Sequence, residues 1–313
     1  MDKRLKGSLL VFLSALCWSF SGVLGKDLAW NGLSKGGVRS IVAVAIYALY
    51  RRTLRVKLTK STVIGALGVA STSTLYMLAL TMTTSANAIT LQYSMPLYVA
   101  LISFLFFGVK PDRRQLIALP LLMAGMALCC LGKGVGSTPL PRQGLGNALA
   151  LLSGLTFSLV FVASRMKGAD PLEYTYLGIC LTMLLSLGLP FDENVRWGAG
   201  TASDFLKVAA MGVSLGLGYL LLALGLKTAS PTTAAILENL EPVLNPVWVF
   251  LFLGERPDAT GLIGCALVLV TVTVYSCLPQ GKNDNENGET NGHCENARIG
   301  RADRRSEEEK KIG

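Results

Sequence analysis

Long apolar runs follow one another from Leu5 to Leu278, and short gaps between them hold most of the charges. A helix needs about 20 apolar residues to cross the hydrocarbon core of a bilayer. The runs therefore predict ten membrane spans. The predicted spans are residues 5–25, 36–50, 61–82, 85–107, 115–132, 145–164, 172–190, 204–226, 231–253 and 259–278.

The second half of the chain repeats the first. The segment Phe104–Asp112 returns as Phe250–Asp258, 146 residues later. The match extends without a gap, so that residues 77–130 lie over residues 223–276. Each half then holds five spans, and because five is odd the two copies must insert in opposite orientations. The pattern predicts an inverted repeat.

The predicted fold class is an all-α membrane protein with ten transmembrane helices in two inverted five-helix repeats. Residues 1–132 form the first repeat, residues 133–144 a connector, and residues 145–278 the second repeat. The remaining residues, 279–313, are rich in Asn, Glu, Lys and Arg and have nothing apolar to bury. We expect them to form a disordered cytoplasmic tail.

Basic residues in the gaps predict the orientation of the spans, because cytoplasmic loops carry an excess of Lys and Arg. With the N-terminus inside, the inner segments before the tail hold 14 basic residues and the outer segments hold seven. The cluster in residues 51–60, RRTLRVKLTK, contributes most to this difference. Ten spans return the C-terminus to the inside, so both termini are expected to be cytoplasmic.

Composition excludes several function classes. The chain is 51% hydrophobic and 16% charged, with a net charge of +9, and that surplus lies on the predicted inner face. Attraction to anionic lipid explains it, and no exposed basic domain is present for nucleic-acid binding. A single histidine, His293, and seven cysteines without metal-ligand spacing argue against a metal site or another cofactor. The sequence lacks a phosphate-binding GxxxxGK[ST] loop, so we do not expect ATP-driven transport.

The ninth span is unusually polar. Glu238, Glu241 and Asn245 recur at i, i+3 and i+7 and lie on one helical face, and Asn239 follows about 100° away. A charged side chain at mid-bilayer costs about 2.5–3.5 kcal/mol on insertion scales. This face is therefore a candidate substrate site, and Glu241 or Glu238 is the candidate proton carrier. The alternative is that the glutamates join neighbouring helices through buried hydrogen bonds.

Prolines break the two repeat-related spans. Pro242 and Pro246 each remove a backbone donor from the ninth span, and Pro96 in the fourth span matches Pro242. Gln92 and Tyr93 lie opposite Glu238 and Asn239 in the repeat and are predicted to contribute to the same site. The scaffold is repeated but its charge is not, which favours a functional role for the glutamates.

Other polar and aromatic residues are weaker candidates. Arg39 in the second span could bind a substrate carboxylate, pair with Glu238 or Glu241, or extend to the membrane interface. Three aromatic residues could line a cavity or simply pack: Trp18, Tyr76 and Tyr219. Three hydroxyl residues of the third span are expected to bond their own helix backbone: Thr72, Ser73 and Thr74.

These features resemble an EamA-type member of the drug/metabolite transporter superfamily. The motifs are Arg39, the Ala-rich turns that end in Pro96 and Pro242, and the LEP and LGE sequences at Leu240–Pro242 and Leu253–Glu255. The first repeat departs from the family pattern: it has Phe-Gly-Val at Phe107–Val109, with valine where the family has a glutamate. The resemblance implies a carrier in the plasma (inner) membrane with a central cavity and no catalytic residues.

The function predicted from the sequence is secondary transport or export of small polar metabolites, amino-acid-like or drug-like, by alternating access between the inverted repeats. Expected partners are the substrate, the lipid bilayer and, if transport is coupled, protons. An enzyme is not expected, because convergent nucleophiles, bases and metal ligands are missing from the spans. The alternative is a non-transporting membrane helper or sensor held by its tail. The sequence makes no prediction about oligomeric state.

Overall fold

The structure is a computed structural model, and it describes residues 3–25, 28, 30–83, 85–131, 142–195, 201–244, 248, 251 and 259–277. These residues form helices and connections, with no strand among them. The predicted tail, residues 279–313, and most of the predicted connector lie outside the described residues.

Eleven α-helices and one 3₁₀ segment have bounds that the described residues define. They are α1 (Lys3–Gly25), α2 (Gly32–Arg51), α3 (Lys60–Leu80), α4 (Ser85–Gln92), α5 (Met95–Phe107), α6 (Arg113–Leu131), α7 (Gln143–Ala163), α8 (Pro171–Met183), the 3₁₀ segment Leu184–Phe191, α9 (Thr201–Gly225), α10 (Pro231–Glu238) and α11 (Ala259–Cys277). Residues 241–244 are helical as well.

Five helical stretches are long and apolar enough to cross a membrane. They are Gly32–Arg51, Lys60–Leu80, Gln143–Ala163, Pro171–Phe191 and Ala202–Gly225. Shorter apolar stretches occur in α1, α5 and α11. The all-α membrane class is confirmed, while the ten-span inverted repeat stays a prediction. The second predicted span, which is short as residues 36–50, begins earlier in the structure, at Gly32.

Polar residues just before the helices fix where several of them begin. The Asn31 side chain accepts a hydrogen bond from the Leu33 amide at 3.1 Å, and the Thr59 hydroxyl accepts one from the Thr62 amide at 3.1 Å. Such N-caps satisfy amides that the helix itself leaves unpaired. Ser230 caps α10 in the same way, which sets the start of the first half of the ninth span.

The two halves of the chain pack into each other. Helix α1 of the first half lies against α9 of the second, and α3 lies against α7 and α8. Small residues allow these close approaches: a Cβ added at Gly178 would lie 2.5 Å from Val69 Cβ, and one at Gly65 would lie 2.4 Å from Tyr174 Cγ. Close backbone contact through glycine is typical of helix packing in membranes.

A buried ion pair joins α2 to α8 at their predicted inner ends. Arg51 Nη2 lies 2.9 Å from Glu173 Oε1, and the Lys57 amide donates to Glu173 Oε2 at 2.8 Å. The Arg51 guanidinium also lies 4.7 Å from the ring centroid of Tyr176. One carboxylate thus holds the end of α2, the following loop and α8 together.

At the opposite end, Asp192 holds the start of α2. Its carboxylate accepts a hydrogen bond from the Asn31 amide at 2.7 Å and two from Asn194, each at 3.1 Å. Burial alone raises the pKa of Asp192, but hydrogen bonds from Ser34, Asn194 and Asn31 outweigh it and hold that pKa below its ordinary value. The carboxylate therefore stays charged at neutral pH.

Gly178→Ala tests the contact between α3 and α8. The new Cβ would meet Val69 Cβ at 2.5 Å and the Ala66 carbonyl oxygen at 2.8 Å, so the helices must move apart. We expect a loss of about 1–3 kcal/mol of stability, seen as a lower thermal midpoint in detergent.

Gly144→Ala is the matched control, because nothing lies within 4 Å of a Cβ at that position in α7. Its midpoint should be unchanged or slightly higher, since alanine favours a helix over glycine by about 0.5–1 kcal/mol. Equal midpoints for the two variants would contradict the packing described.

Candidate functional site

Two helices break at positions that the sequence repeat relates. Helix α4 ends at Gln92 and α5 begins at Met95, while α10 ends at Glu238 and helix resumes at Glu241. Each pair of positions differs by 146 residues, the offset of the repeat. The breaks lie in the fourth and ninth predicted spans, where the sequence predicted weakened helices.

Proline explains why each helix is interrupted and where the next helical segment begins. Pro96 is the second residue of α5, and Pro242 is the second residue of the helical segment 241–244. Neither residue can donate the backbone hydrogen bond that would continue the preceding helix. The turn after α10 is closed by shorter bonds, from the Asn239 amide to the Ile236 carbonyl at 3.2 Å and from Leu240 to Leu237 at 3.1 Å. Pro246 lies outside the described residues.

A hydrogen bond joins the two breaks directly. The Tyr93 hydroxyl, just after α4, donates to Glu241 Oε2, just after α10. Tyr93 is buried and Glu241 is partly buried. The bond therefore connects the first half of the chain to the second at their repeat-related breaks.

Arg39 brings positive charge to this cluster. Its side chain is 7% exposed, its Nη2 lies 3.4 Å from Ser73 Oγ, and its Nε has no partner among the described residues. The guanidinium lies within electrostatic range of Glu241, Tyr76 and Tyr219. This buried position argues against extension of the side chain to the membrane interface.

Glu238, the last residue of α10, is fully buried. The Ser14 side chain of α1 approaches its carboxyl group. Neither Ser14 Oγ nor either Glu238 oxygen makes a well-formed hydrogen bond within the described residues. Asn239 is also fully buried, and its amide group donates to the Ala235 carbonyl at 2.9 Å.

Aromatic rings lie beside these carboxyl groups. Trp18 of α1 packs edge-on against Tyr219 of α9, with ring centroids 4.8 Å apart, and against Phe157 of α7 at 5.9 Å. Tyr219 is within electrostatic range of both Glu238 and Glu241. The candidate site thus draws residues from α1, α2, α3, α7, α9 and both breaks.

The structure brings together six of the predicted site residues. Contacts or electrostatic interactions link Arg39, Tyr76, Tyr93, Tyr219, Glu238 and Glu241, and Trp18 joins them through Tyr219. Gln92 is different, because it meets α7 through its backbone: a Cβ at Gly154 would lie 2.6 Å from the Gln92 carbonyl oxygen. Asn245 lies outside the described residues.

Sequence reasoning missed Ser14 and Phe157 and misjudged Ser73. Thr72 and Thr74 do bond their own helix, to Gly68 at 2.6 Å and to Ala70 at 2.8 Å. The Ser73 hydroxyl instead lies beside the Arg39 guanidinium. A serine in an apolar span usually bonds to its own helix backbone. The sequence therefore gives no sign that Ser73 contacts Arg39, and only the structure shows that the two side chains are neighbours.

No group of three or more His, Cys, Asp or Glu side chains comes together as a metal site within the part of the chain that the structure describes. The polar groups of the candidate site are carboxyls, amides, hydroxyls and one guanidinium. Such groups bind and release small polar molecules or protons without a cofactor.

Comparison with known proteins identifies the family. The model of the EamA-like transporter family matches residues 5–131 and again residues 144–277. The chain belongs to this family. It is a multi-pass membrane transporter of a small molecule, and the resemblance stated from its sequence is confirmed.

Relatives are named as transporters and not as enzymes, as predicted. An uncharacterized transporter of Archaeoglobus fulgidus is 30% identical over 204 residues, 64% of this chain and 70% of the relative. The pseudopaline exporter CntI of Pseudomonas aeruginosa is 24% identical over 288 residues, 90% of this chain and 99% of the exporter. The mouse UDP-galactose translocator is 30% identical over 195 residues, 59% of this chain and 50% of the translocator.

A solved crystal structure has the same fold. Its TM-score to this chain is 0.72 at 20% sequence identity, and the match covers 87% of this chain and 97% of the other. The similarity concerns the arrangement of helices alone.

Glu238→Gln distinguishes a functional carboxyl from a structural one. An unpartnered buried carboxyl costs stability, and glutamine keeps its shape without its charge. We expect the thermal midpoint to stay unchanged or to rise by the equivalent of about 0.5–2 kcal/mol, while transport falls at least tenfold. A lower midpoint with transport retained would instead assign Glu238 a structural role.

Proposed function

We propose that this protein is a secondary transporter of small polar metabolites, amino-acid-like or drug-like, that works by alternating access between two inverted five-helix repeats. The observation that carries the proposal is the Tyr93–Glu241 hydrogen bond between the two repeat-related helix breaks. In transporters with repeated architecture, broken helices near the midplane form the substrate site at the interface between repeats.

Two observations support the repeat. The helix breaks fall at the same position in each half, and the family model matches the chain twice. We place the first repeat at residues 1–132, a connector at 133–144, the second repeat at 145–278 and a cytoplasmic tail at 279–313. Helices α1 and α3 of the first repeat pack on α9 and α7 of the second, so movement of one repeat against the other would remodel the site between them.

Loop charge supports the proposed orientation. The predicted inner segments hold 14 basic residues against seven outside, which is the bias expected with both termini in the cytoplasm. A plasma-membrane location with outward transport is consistent with CntI, a relative named as an exporter that matches 90% of this chain.

The proposed substrate site consists of the linked cluster around the two breaks and the residues beside it. Its proposed members are Trp18, Arg39, Tyr76, Gln92, Tyr93, Tyr219, Glu238, Asn239, Glu241 and Asn245. The cluster combines two carboxyls, one guanidinium and several aromatic rings, which suits a small polar molecule with an apolar portion. Pro96 and Pro242 keep the two helices broken, and we propose the same role for Pro246 from its position in the sequence.

Proton coupling is assigned first to Glu241 and second to Glu238. The side chains facing Glu241 are Arg39 from α2, Tyr76 from α3, Tyr93 from the first break and Tyr219 from α9, with Glu238 one turn away. Protonation of Glu241 would remove the charge that Arg39 faces. The gain or loss of one proton would thereby alter the charge of the site during each cycle.

Uptake by the purified protein in liposomes tests the transport function. The panel consists of labelled amino acids, nucleosides and cationic drugs, each measured with and without an imposed pH gradient. We expect uptake of one class above the level of protein-free liposomes. A helper or sensor subunit would move none of them, and its stoichiometric partner would be lost when residues 279–313 are removed.

Glu241→Gln tests the proton role. The glutamine oxygen still accepts the hydrogen bond from Tyr93 but carries no titratable proton. We expect folded protein whose uptake no longer follows the pH gradient. Glu193→Gln, on the exposed turn before α9, makes the same chemical change outside the site and should keep the wild-type profile. An unchanged profile in Glu241→Gln would reject the proton role of Glu241 and leave Glu238 as the remaining candidate.

A further inference from the structure

Three buried oxygen atoms at the end of α10 have no hydrogen-bond partner within the described residues. They are Oε1 and Oε2 of Glu238 and Oδ1 of Asn239, and both residues are 0% exposed. Pro242 has no amide hydrogen, so the Glu238 carbonyl also lacks its usual helical donor. All four atoms accept hydrogen bonds, and such groups rarely stay unpaired in a protein interior.

Among the described residues, Glu238 also has no positive charge nearby. The one guanidinium in the described part of the cluster is that of Arg39. It interacts electrostatically with Glu241, Tyr76 and Tyr219. The end of a helix adds partial negative charge, because its last carbonyl groups are unpaired, and Glu238 is the last residue of α10. The end of α10 is therefore negative and rich in acceptors.

Aromatic residues lie near Glu238. Tyr93 and Tyr219 lie within electrostatic range of its carboxyl group. Trp18 packs on Tyr219 at 4.8 Å between ring centroids. Ring faces attract cations, most strongly when both are removed from water.

We infer that the end of α10 is an ammonium subsite, in which Glu238 and Asn239 accept hydrogen bonds from a primary amine of the substrate. A primary ammonium carries three N–H donors and one positive charge. This matches three unpaired acceptor atoms, two of which belong to a carboxyl group without a counter-charge among the described residues. A quaternary ammonium would leave those acceptors unpaired, and a carboxylate would be repelled. The inference rests on the proposed transport function and narrows its substrates to those with a primary amine.

Access to the subsite requires movement of the protein. Glu238 is fully enclosed in this conformation, so an amine enters only when the helices around it separate. Alternating access provides that separation on each side of the membrane in turn. Ser14 of α1, next to the carboxyl, lies on one of the helices that would have to move.

Ligand-induced thermal shifts of the full-length protein in detergent test the inference. The probes are ethylamine and tyramine, their N-acetyl derivatives, and 3-(4-hydroxyphenyl)propionate, at matched concentration and ionic strength. We expect at least one amine to raise the midpoint, with apparent binding at least tenfold tighter than that of its N-acetyl derivative, which has lost the charge. The propionate, which carries the same ring with the opposite charge, should give no shift.

Glu238→Gln should weaken binding of the amine about tenfold or more, because the charge-assisted bond is lost. Glu238→Asp keeps the charge and should retain the preference for amine over N-acetyl derivative. Glu193→Gln is the control outside the site and should bind as wild type does. Should Glu238→Gln fail to fold, the comparison of probes on the unaltered protein still decides the question.

Three outcomes would overturn the inference. They are equal shifts by an amine and its N-acetyl derivative, no shift by either amine, or full amine binding in Glu238→Gln. The binding result is independent of the liposome assay. Amine binding without flux of any substrate would uphold the subsite and reject the transport function. Flux of a substrate without amine binding would uphold the transport function and reject the subsite.

Discussion

A break in a membrane helix exposes backbone groups that lipid cannot hydrogen-bond, and this cost shapes the centre of the molecule. Each unsatisfied group in the hydrocarbon costs several kcal/mol, so irregular backbone persists only where protein or a polar cavity surrounds it. Here the break after α10 is fully enclosed: Glu238 and Asn239 are both 0% exposed. The other break, after α4, lies against it through Tyr93 and Glu241. The two breaks are thereby surrounded by each other and by α1, α2, α7 and α9.

The all-α membrane class could be predicted from the sequence because the length of an apolar run and the position of a proline are local properties. The apolar runs located the helices, and the prolines at 96 and 242 indicated where two of them break. Partners across the chain could not be predicted in this way. Nothing in the sequence pairs Ser14 with Glu238, or Ser73 with Arg39, since these contacts depend on the rotation of α1 and α3 about their own axes.

The two carboxyl groups of the site differ in surroundings although they lie one turn apart. Glu241 has a hydrogen-bond donor in Tyr93 and a counter-charge in Arg39. Within the described residues, Glu238 has only the nearby Ser14 hydroxyl, without a well-formed hydrogen bond, and no counter-charge. Sequence reasoning treated them as alternatives for one role. Their surroundings instead suit two roles, with a group that exchanges a proton and a group that holds a ligand. Separate environments are the usual way in which one site gives like groups different chemistry.

The exchange of packing partners between the halves has a consequence for biosynthesis. Trp18 of α1 donates a hydrogen bond to the Leu215 carbonyl of α9, which is 197 residues later in the chain. A ribosome completes α1 long before α9 exists, so the first helices enter the bilayer without the surfaces they finally contact. Their polar groups must be sheltered by lipid headgroups, by the insertion machinery or by temporary neighbours until the second half arrives. These contacts of the first helices therefore form only after the second half has been made.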